Sequence, residues 1–493
     1  MPPVKTIFRK PFFILLFPVF FVLHGYTVNY NAVPLSNALV LLLEYIVATL
    51  FFSFVFWLLY RDITKASLMT VALMLFYFFF GNVIDLLRGE LGNSFFLRYR
   101  FLCFISLLLF LLLFILIKRA KPFKKLMLYL NILFLLLIVV DLMSLIIKIP
   151  KENQKIAFDP VKEGFTICDS CRKPDIYLII PDEYPGSIAL KEDFHFGNFS
   201  FEKELADRGF HIVPKSRSNY NSTPFSVAST LNLGFLNLPR TQQDFSTVQY
   251  CYDLIRHSLV LKFLNASGYH FINCSIFDFA GQPANEYSEF LPYGIKLVTA
   301  QTFADRMFND LRQDIIHGQF GLRKLREKFI FQNLHFNDGM LERTAKIAAE
   351  KSGGPKFVYT HLMMPHSPFY FDSKGNRQPV EKIAAGNERW NKNDFIEYVQ
   401  YTSRKLIWLV DQILSSSPSP PVIMILSDHG FRYEDKNFHP ANEFMNLNAV
   451  YFPDKNYKEV YDSITNVNEF RVIFNKYFDQ QLPILRDTII NLR

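Results

Sequence analysis

Five uninterrupted apolar stretches occupy the first 147 residues, at about 11–29, 37–60, 66–87, 97–117 and 125–147. Each is near the roughly 20 residues that an α-helix needs to cross the hydrocarbon core of a bilayer. Charges inside them are few: Glu44, Asp85, Arg98, Arg100 and Asp141, with Lys125 at the very start of the last. In lipid every backbone polar group must be paired within the segment, so these stretches predict five transmembrane helices. The first is no cleaved signal peptide: it lacks a small-x-small cleavage pattern, and four further spans follow. Glu44 admits two readings, a transport residue or an acid facing the bundle interior near the outer surface.

The charge distribution orients this anchor. The whole chain carries +8, but residues 1–150 hold 14 Lys+Arg against 5 Asp+Glu, and the remainder holds 39 against 40. The excess therefore sits in membrane loops, and the polar part has no basic surplus for a phosphate backbone, which excludes nucleic acid as a partner. With the N-terminus inside, the inner segments carry ten positives (Lys5, Arg9, Lys10, Arg61, Lys65, Lys118, Arg119, Lys121, Lys124, Lys125), and the outer loops carry three, Arg88, Arg98 and Arg100. That asymmetry favours a cytoplasmic N-terminus. Five crossings then place everything after residue 150 outside. The expected organisation is a transmembrane domain at 1–150, a linker at 151–174 and an extracytoplasmic domain at 175–493. The linker contains Cys168-Asp-Ser-Cys171, which is compatible with a short disulfide, two free thiols, a redox pair or half of a zinc site; no second CxxC supplies the other half.

Beyond the linker the pattern changes. Asp175–Pro181, 269–276, Lys356–His361, Pro421–Leu426 and Asn446–Phe452 are short apolar runs of strand length, and 199–209, 224–235, 257–267 and 394–416 read as helices between them. Strands alternating with helices predict an α/β domain with a largely parallel sheet flanked by helices. Active sites of such sheets lie at the carboxyl ends of the strands. Asp182-Glu183, His361-Leu-Met-Met-Pro-His366 and Ser427-Asp428-His429-Gly430 follow strands, and Ser222-Thr223-Pro224-Phe-Ser226 opens a helix. Singly, each has a plain structural reading: a turn cap at Asp182, a loop residue at His366, a glycine turn at Asp-His-Gly, and Thr223 as N-cap with Pro224 at N1. Together, carboxylates, imidazole and a hydroxyl at a helix N-terminus are the parts of a divalent-metal site that handles an anionic substrate.

In these motifs the chain resembles the alkaline-phosphatase superfamily, sulfatase-like branch. The five-helix anchor with an external domain resembles the membrane-anchored lipoteichoic-acid synthases and lipid A phosphoethanolamine transferases. The resemblance covers the motifs of residues 175–452 and the helix count. It implies that Asp182, Asp428 and His429 hold one divalent metal, Zn or Mn, together with Thr223, the nucleophile. Asp182 stands where the transferases carry Glu, and Glu183 is its neighbouring alternative. Ser222 is the competing nucleophile. The sulfatase signature requires Arg at the position of Ser226, so formylglycine chemistry is not expected. His366 is implied in substrate contact, His361 in a structural role, and His439 in a further substrate or metal contact.

The expected activity is transfer of a phospholipid head group, phosphoethanolamine or phosphoglycerol, to an envelope glycan or lipid through a covalent phospho-threonine. Such a protein would be integral to a bacterial-type inner membrane. A phosphodiesterase, phosphatase or sulfatase hydrolase, and a non-catalytic sensor, are the alternatives.

Overall fold

In the computed structural model, residues 10–30, 32–92, 97, 99–120, 124–156, 159–160, 162–238, 245–285, 294–385, 391–432 and 438–492 are described. Lys5, Arg9, Arg98 and Lys121 of the charge argument lie outside them. The chain divides into two compact units. One comprises Met1–Gln154 with Ser288–Leu322, the other Lys155–Tyr287 with Arg323–Arg493.

The first unit contains α1 (Phe13–Val28), α2 (Leu35–Tyr60), α3 (Ile63–Leu91), α4 (Tyr99–Arg119) and α5 (Lys124–Ile156). Among the described residues four helices are long and apolar enough to cross a membrane: Leu35–Tyr60, Ile63–Leu91, Phe101–Arg119 and Lys124–Pro150. The fifth expected span, α1, is apolar but has 16 residues, about 24 Å of helix. Polar contacts hold α1 beside α5. Asn131 Oδ1 accepts from the Phe13 N–H (2.7 Å), His24 Nδ1 meets Asp141 Oδ1 (3.0 Å), and Lys148 Nζ donates to the Thr27 carbonyl (2.6 Å). Partner numbers rise together along both helices, so the two run parallel. Asn131 thereby pairs one of the amides that a helix start leaves unpaired.

The second unit is built on a six-stranded sheet of order β2-β6-β5-β1-β4-β3. The strands are β1 (Ile176–Pro181), β2 (His211–Ile212), β3 (His270–Cys274), β4 (Lys356–Leu362), β5 (Val422–Leu426) and β6 (Asn448–Tyr451). β3, β4, β1 and β5 pair in parallel, whereas β6 is antiparallel to β5, and β2 to β6. The sheet is thus mixed at one edge, where the sequence predicts a largely parallel one. Every residue of β1, β4 and β5 is buried, as continuous apolar strands covered on both faces must be. Tyr177 and Ile179 of β1 share one core with Leu341, Tyr398 and Leu406 of the helices Phe336–Ala349 and Lys392–Ser416. On the opposite face Phe357 packs edge-on against Phe470 of the helix Asn466–Phe478 (5.9 Å between ring centres). Cys168 and Cys171 form a disulfide.

Candidate metal centre

Strand parity gathers the site. Ile180 is paired with His361, and Ile179 with Ile425. Side chains alternate along a strand, so Asp182, His361 and Asp428 project to one face of the sheet. One ligand atom from each lies within 4.8 Å of the others, and all three residues are buried. His361, which the sequence reading assigns a structural role, therefore joins the cluster, its Nε2 3.2 Å from Asp182 Oδ2. Tyr359 OH lies 3.1 Å from the other ring nitrogen. Nothing in the local sequence separates His361 from a core histidine; the signal is its register against β1.

The hydroxyl arrives from the same side. Helix Thr223–Leu231 has Ser222 as its N-cap, so the helix opens at Thr223, one position earlier than the sequence pattern suggests, and Pro224 is its second residue. Thr223 Oγ1 lies 3.2 Å from His429 Nε2, which is itself 3.2 Å from Asp428 Oδ2. Ser226, on the next turn, donates from Oγ to the Asp428 carbonyl at 2.5 Å. The residue that stands where a sulfatase signature would need Arg thus fastens the helix to the Asp428 loop. Pro224 has no N–H, and the Phe225 and Ser226 N–H groups donate to the Ser222 carbonyl, so the helix start offers the Thr223 N–H and the positive end of its dipole beside the Thr223 hydroxyl.

Hydrogen bonding sets the protonation of the imidazoles. His429 Nδ1 lies 2.7 Å from the Gly430 carbonyl and His366 Nδ1 2.7 Å from the Ser367 carbonyl. A carbonyl only accepts, so each Nδ1 carries hydrogen, and the His429 Nε2 lone pair accepts from the Thr223 hydroxyl, with the Asp428 carboxylate oxygen, a second acceptor, beside it. Burial would push the Asp182 carboxyl up, but the His366, His361 and His429 imidazoles around it outweigh that and hold it well below the usual carboxylate range. Burial acts to lower His366, and the neighbouring Glu183 and Asp182 carboxylates reverse this and leave it raised.

Glu183 occupies a left-handed backbone conformation (φ 62°), which costs of order 1 kcal/mol for a non-glycine residue. That turn lets its N–H donate to Asp428 Oδ1 (3.0 Å), while its carboxylate accepts from the Arg432 N–H (3.0 Å) and sits 3.9 Å from His366 Nε2. Glu183 thus ties the loops carrying Asp182, His366 and Asp428. His439 is exposed and caps the short turn Pro440–Glu443 with Nδ1.

The residues present fit a divalent cation. Asp182 Oδ1 and Asp428 Oδ2 are buried without a hydrogen-bond partner, a costly state for a carboxylate unless it is paired or ligates an ion. Tetrahedral ligands at about 2.0–2.2 Å from a metal stand roughly 3.3–3.6 Å apart. The 3.2 Å spacings of Thr223 to His429, His429 to Asp428 and His361 to Asp182 approach that.

A polar network supports the Asp428 loop from behind. Asn446 Nδ2 donates to the Ser427 carbonyl (2.5 Å) and its Oδ1 accepts from Ser216 Oγ (3.0 Å). Ser216 Oγ in turn accepts from Asn448 Nδ2, which also reaches Glu469 Oε1 at 2.6 Å. Glu469 is buried, and burial lifts its carboxyl to about 7 despite the hydrogen bond from Asn448.

No protein-family model matches the chain. No curated protein matches it. Among solved structures the chain is similar to the integral membrane lipooligosaccharide phosphoethanolamine transferase A of Neisseria meningitidis, at 11% identity over 96% of each chain with a TM-score of 0.37. It is also similar to the C-terminal periplasmic domain of EptC from Escherichia coli in complex with Zn, at 10% identity over 66% of this chain and 88% of that one, TM-score 0.40. A protein of the alkaline phosphatase superfamily from Vibrio parahaemolyticus is similar at 14% identity over 66% of this chain and 75% of that one, TM-score 0.34. At this distance no residue's role crosses from them to this chain, and the site rests on its own geometry.

Proposed function

We propose that the chain is a metal-dependent phosphotransferase that moves a phospholipid head group, phosphoethanolamine or phosphoglycerol, to an envelope glycan or lipid. The observation that carries this reading is the convergence of the Thr223 hydroxyl, at a helix N-terminus, on His429 and the buried Asp182, His361 and Asp428. Asp182, Asp428, His429 and Thr223 would hold one divalent ion, with His361 beside Asp182. Their oxygen and imidazole donors suit Zn or Mn. When bound, the ion supplies positive charge that acidifies the hydroxyl and offsets charge on phosphoryl oxygens.

Thr223 Oγ forms the bond to phosphorus as the bond from phosphorus to the glyceride oxygen breaks, and that oxygen takes a proton and leaves as the alcohol. The acceptor hydroxyl then displaces Thr223 Oγ, to which a proton returns. The Thr223 N–H, the positive end of the helix dipole and the His366 imidazole would meet the phosphoryl oxygens. The Glu183 carboxylate, 3.9 Å from His366 Nε2, favours its protonated form. The membrane spans favour a lipid donor, because they hold the chain where head groups are concentrated. A fifth crossing by α1, parallel to α5, accords with the ends of both helices lying on the same side. With the N-terminus cytoplasmic, the second unit is extracytoplasmic.

The test is mass spectrometry of the full-length protein after incubation with phosphatidylethanolamine and phosphatidylglycerol. A head-group phosphate on Thr223, absent from Thr223→Ala, is expected. Release of free head group without any acceptor would move the assignment to a hydrolase. An unmodified chain that takes up no divalent ion would leave a binding protein instead.

A further inference from the structure

The segment Ser288–Leu322 lies between two stretches of the second unit, yet it belongs to the membrane unit. Two glycines of the spans seat it. A Cβ on Gly25 of α1 would come within 2.5 Å of Val298 Cγ1, and a side chain on Gly81 of α3 would overlap Gln301. Gly81 N–H donates to the Gln301 carbonyl at 2.8 Å. Phe303 packs on Phe80 and Phe76, with ring centres 4.9 and 5.4 Å apart. Arg306 and Gln301 both bind Asp85, and Asp310 lies 3.6 Å from Arg88. Two charges near the end of α3 are thereby paired by this segment.

The level of these contacts is within reach of lipid. Val83 and Leu86, on either side of Asp85, are 52% and 69% exposed, as side chains on the lipid face of a span are. The contacts with α1 lie at its C-terminal end, and α1 runs parallel to α5, so this is the end from which α5 continues into the second unit. The helix Phe303–Ile316 (FADRMFNDLRQDII) begins at this level. Phe303, Arg306 and Asp310 meet the bundle. A different face of the same helix shows Phe308 (55% exposed) and Leu311 (47%), followed by Phe320 (41%) and Leu322 (51%). Asn309 and Gln313, one turn apart, make a separate exposed polar stripe. A helix with a bundle face, an apolar flank and a polar stripe, fixed at the end of a span, has the make-up of an interfacial element.

We propose that residues 295–322 form a second membrane anchor, in which Phe308, Leu311, Phe320 and Leu322 enter the boundary between phospholipid head groups and acyl chains beside α3. The occupant of the apolar flank is the leaflet into which α5 emerges, because the segment is continuous with the spans that this leaflet surrounds. The chain then enters the membrane at two places, through the spans that end in α5 and through this segment. The proposal does not depend on the catalytic reading.

The test places the photo-reactive residue p-benzoylphenylalanine at position 308, 311 or 313 in the full-length protein, reconstituted in nanodiscs of phosphatidylethanolamine and phosphatidylglycerol. All three positions are exposed, and a thermal-unfolding midpoint equal to that of the unlabelled protein checks that each labelled chain is folded. After irradiation, mass spectrometry is expected to find phospholipid adducts at 308 and 311 in roughly tenfold excess over 313, as an apolar flank in lipid and a polar stripe in water require. Equal yields at the three positions, no lipid adduct at 308 and 311, or adducts to a second copy of the chain would overturn it.

Discussion

Glu469 stands at the far end of the network that holds the Asp428 loop, so its ionisation links pH to the site. Its carboxyl titrates at about 7 in the folded chain against an ordinary 4.5. At about 1.4 kcal/mol for each pH unit, that gap is worth about 3 kcal/mol. The sign follows from proton binding. Below 4.5 both folded and unfolded chains hold the proton, and there is no difference. Between 4.5 and about 7 the folded chain keeps a proton that the unfolded chain releases, so stability falls as pH rises, and above 7 the whole penalty is present. Glu469→Gln removes the charge and keeps an oxygen to accept from Asn448 Nδ2. Thermal unfolding of the detergent-solubilised chain, followed between pH 5 and pH 8.5 with the metal-binding state held constant, separates the two. The wild type should lose stability across this range relative to the variant, by an amount of the order of the 3 kcal/mol above, with Glu469→Gln the more stable at the alkaline end. Parallel pH profiles for the two proteins, or a variant less stable at pH 8.5, would refute the argument that this acid is buried and neutral.

Three further outcomes test the site. Asp428→Asn should lose stoichiometric binding of Zn or Mn, measured by equilibrium dialysis of the full chain, because it removes one buried carboxylate charge and an unpaired oxygen. Thr223→Ala should weaken metal binding without abolishing it, since Asp182, Asp428 and His429 remain, form no phospho-enzyme and lose about 10⁴-fold or more in turnover, whereas Thr223→Ser should keep measurable turnover; equal turnover in wild type and Thr223→Ala would exclude Thr223 as nucleophile. Ser226→Ala should cost about 1 kcal/mol of stability through the lost bond to the Asp428 carbonyl and weaken metal affinity by about tenfold; unchanged affinity would detach Ser226 from the site.

Much of the framework is legible in local pattern. The strand expected at Asp175–Pro181 is Ile176–Pro181, that at Lys356–His361 is Lys356–Leu362, and that at Pro421–Leu426 is Val422–Leu426. Buried central strands announce themselves because both faces must be apolar. The edge is harder. β2 has two residues, and β6 runs antiparallel although its sequence reads like its neighbours, since strand direction is set by the connection and not by composition. The helix Phe303–Ile316 has the period of any amphipathic surface helix, and nothing in that period says which surface it covers. Gly25 and Gly81 look like ordinary small residues of a span until Val298 and Gln301 are seen to need their space.

The sequence by itself determined the apolar spans, the charge bias around them, and the carboxylates, imidazoles and hydroxyl placed at strand and helix ends, because hydropathy, period and turn chemistry are local. Only the tertiary structure decided which of those groups meet. Register between β1, β4 and β5 put His361 on the face of Asp182 and Asp428. The left-handed turn at Glu183 joined three loops, and a segment distant in sequence paired the charges of α3. Those outcomes depend on contacts between residues up to a few hundred positions apart, and a local pattern holds no information about such pairings.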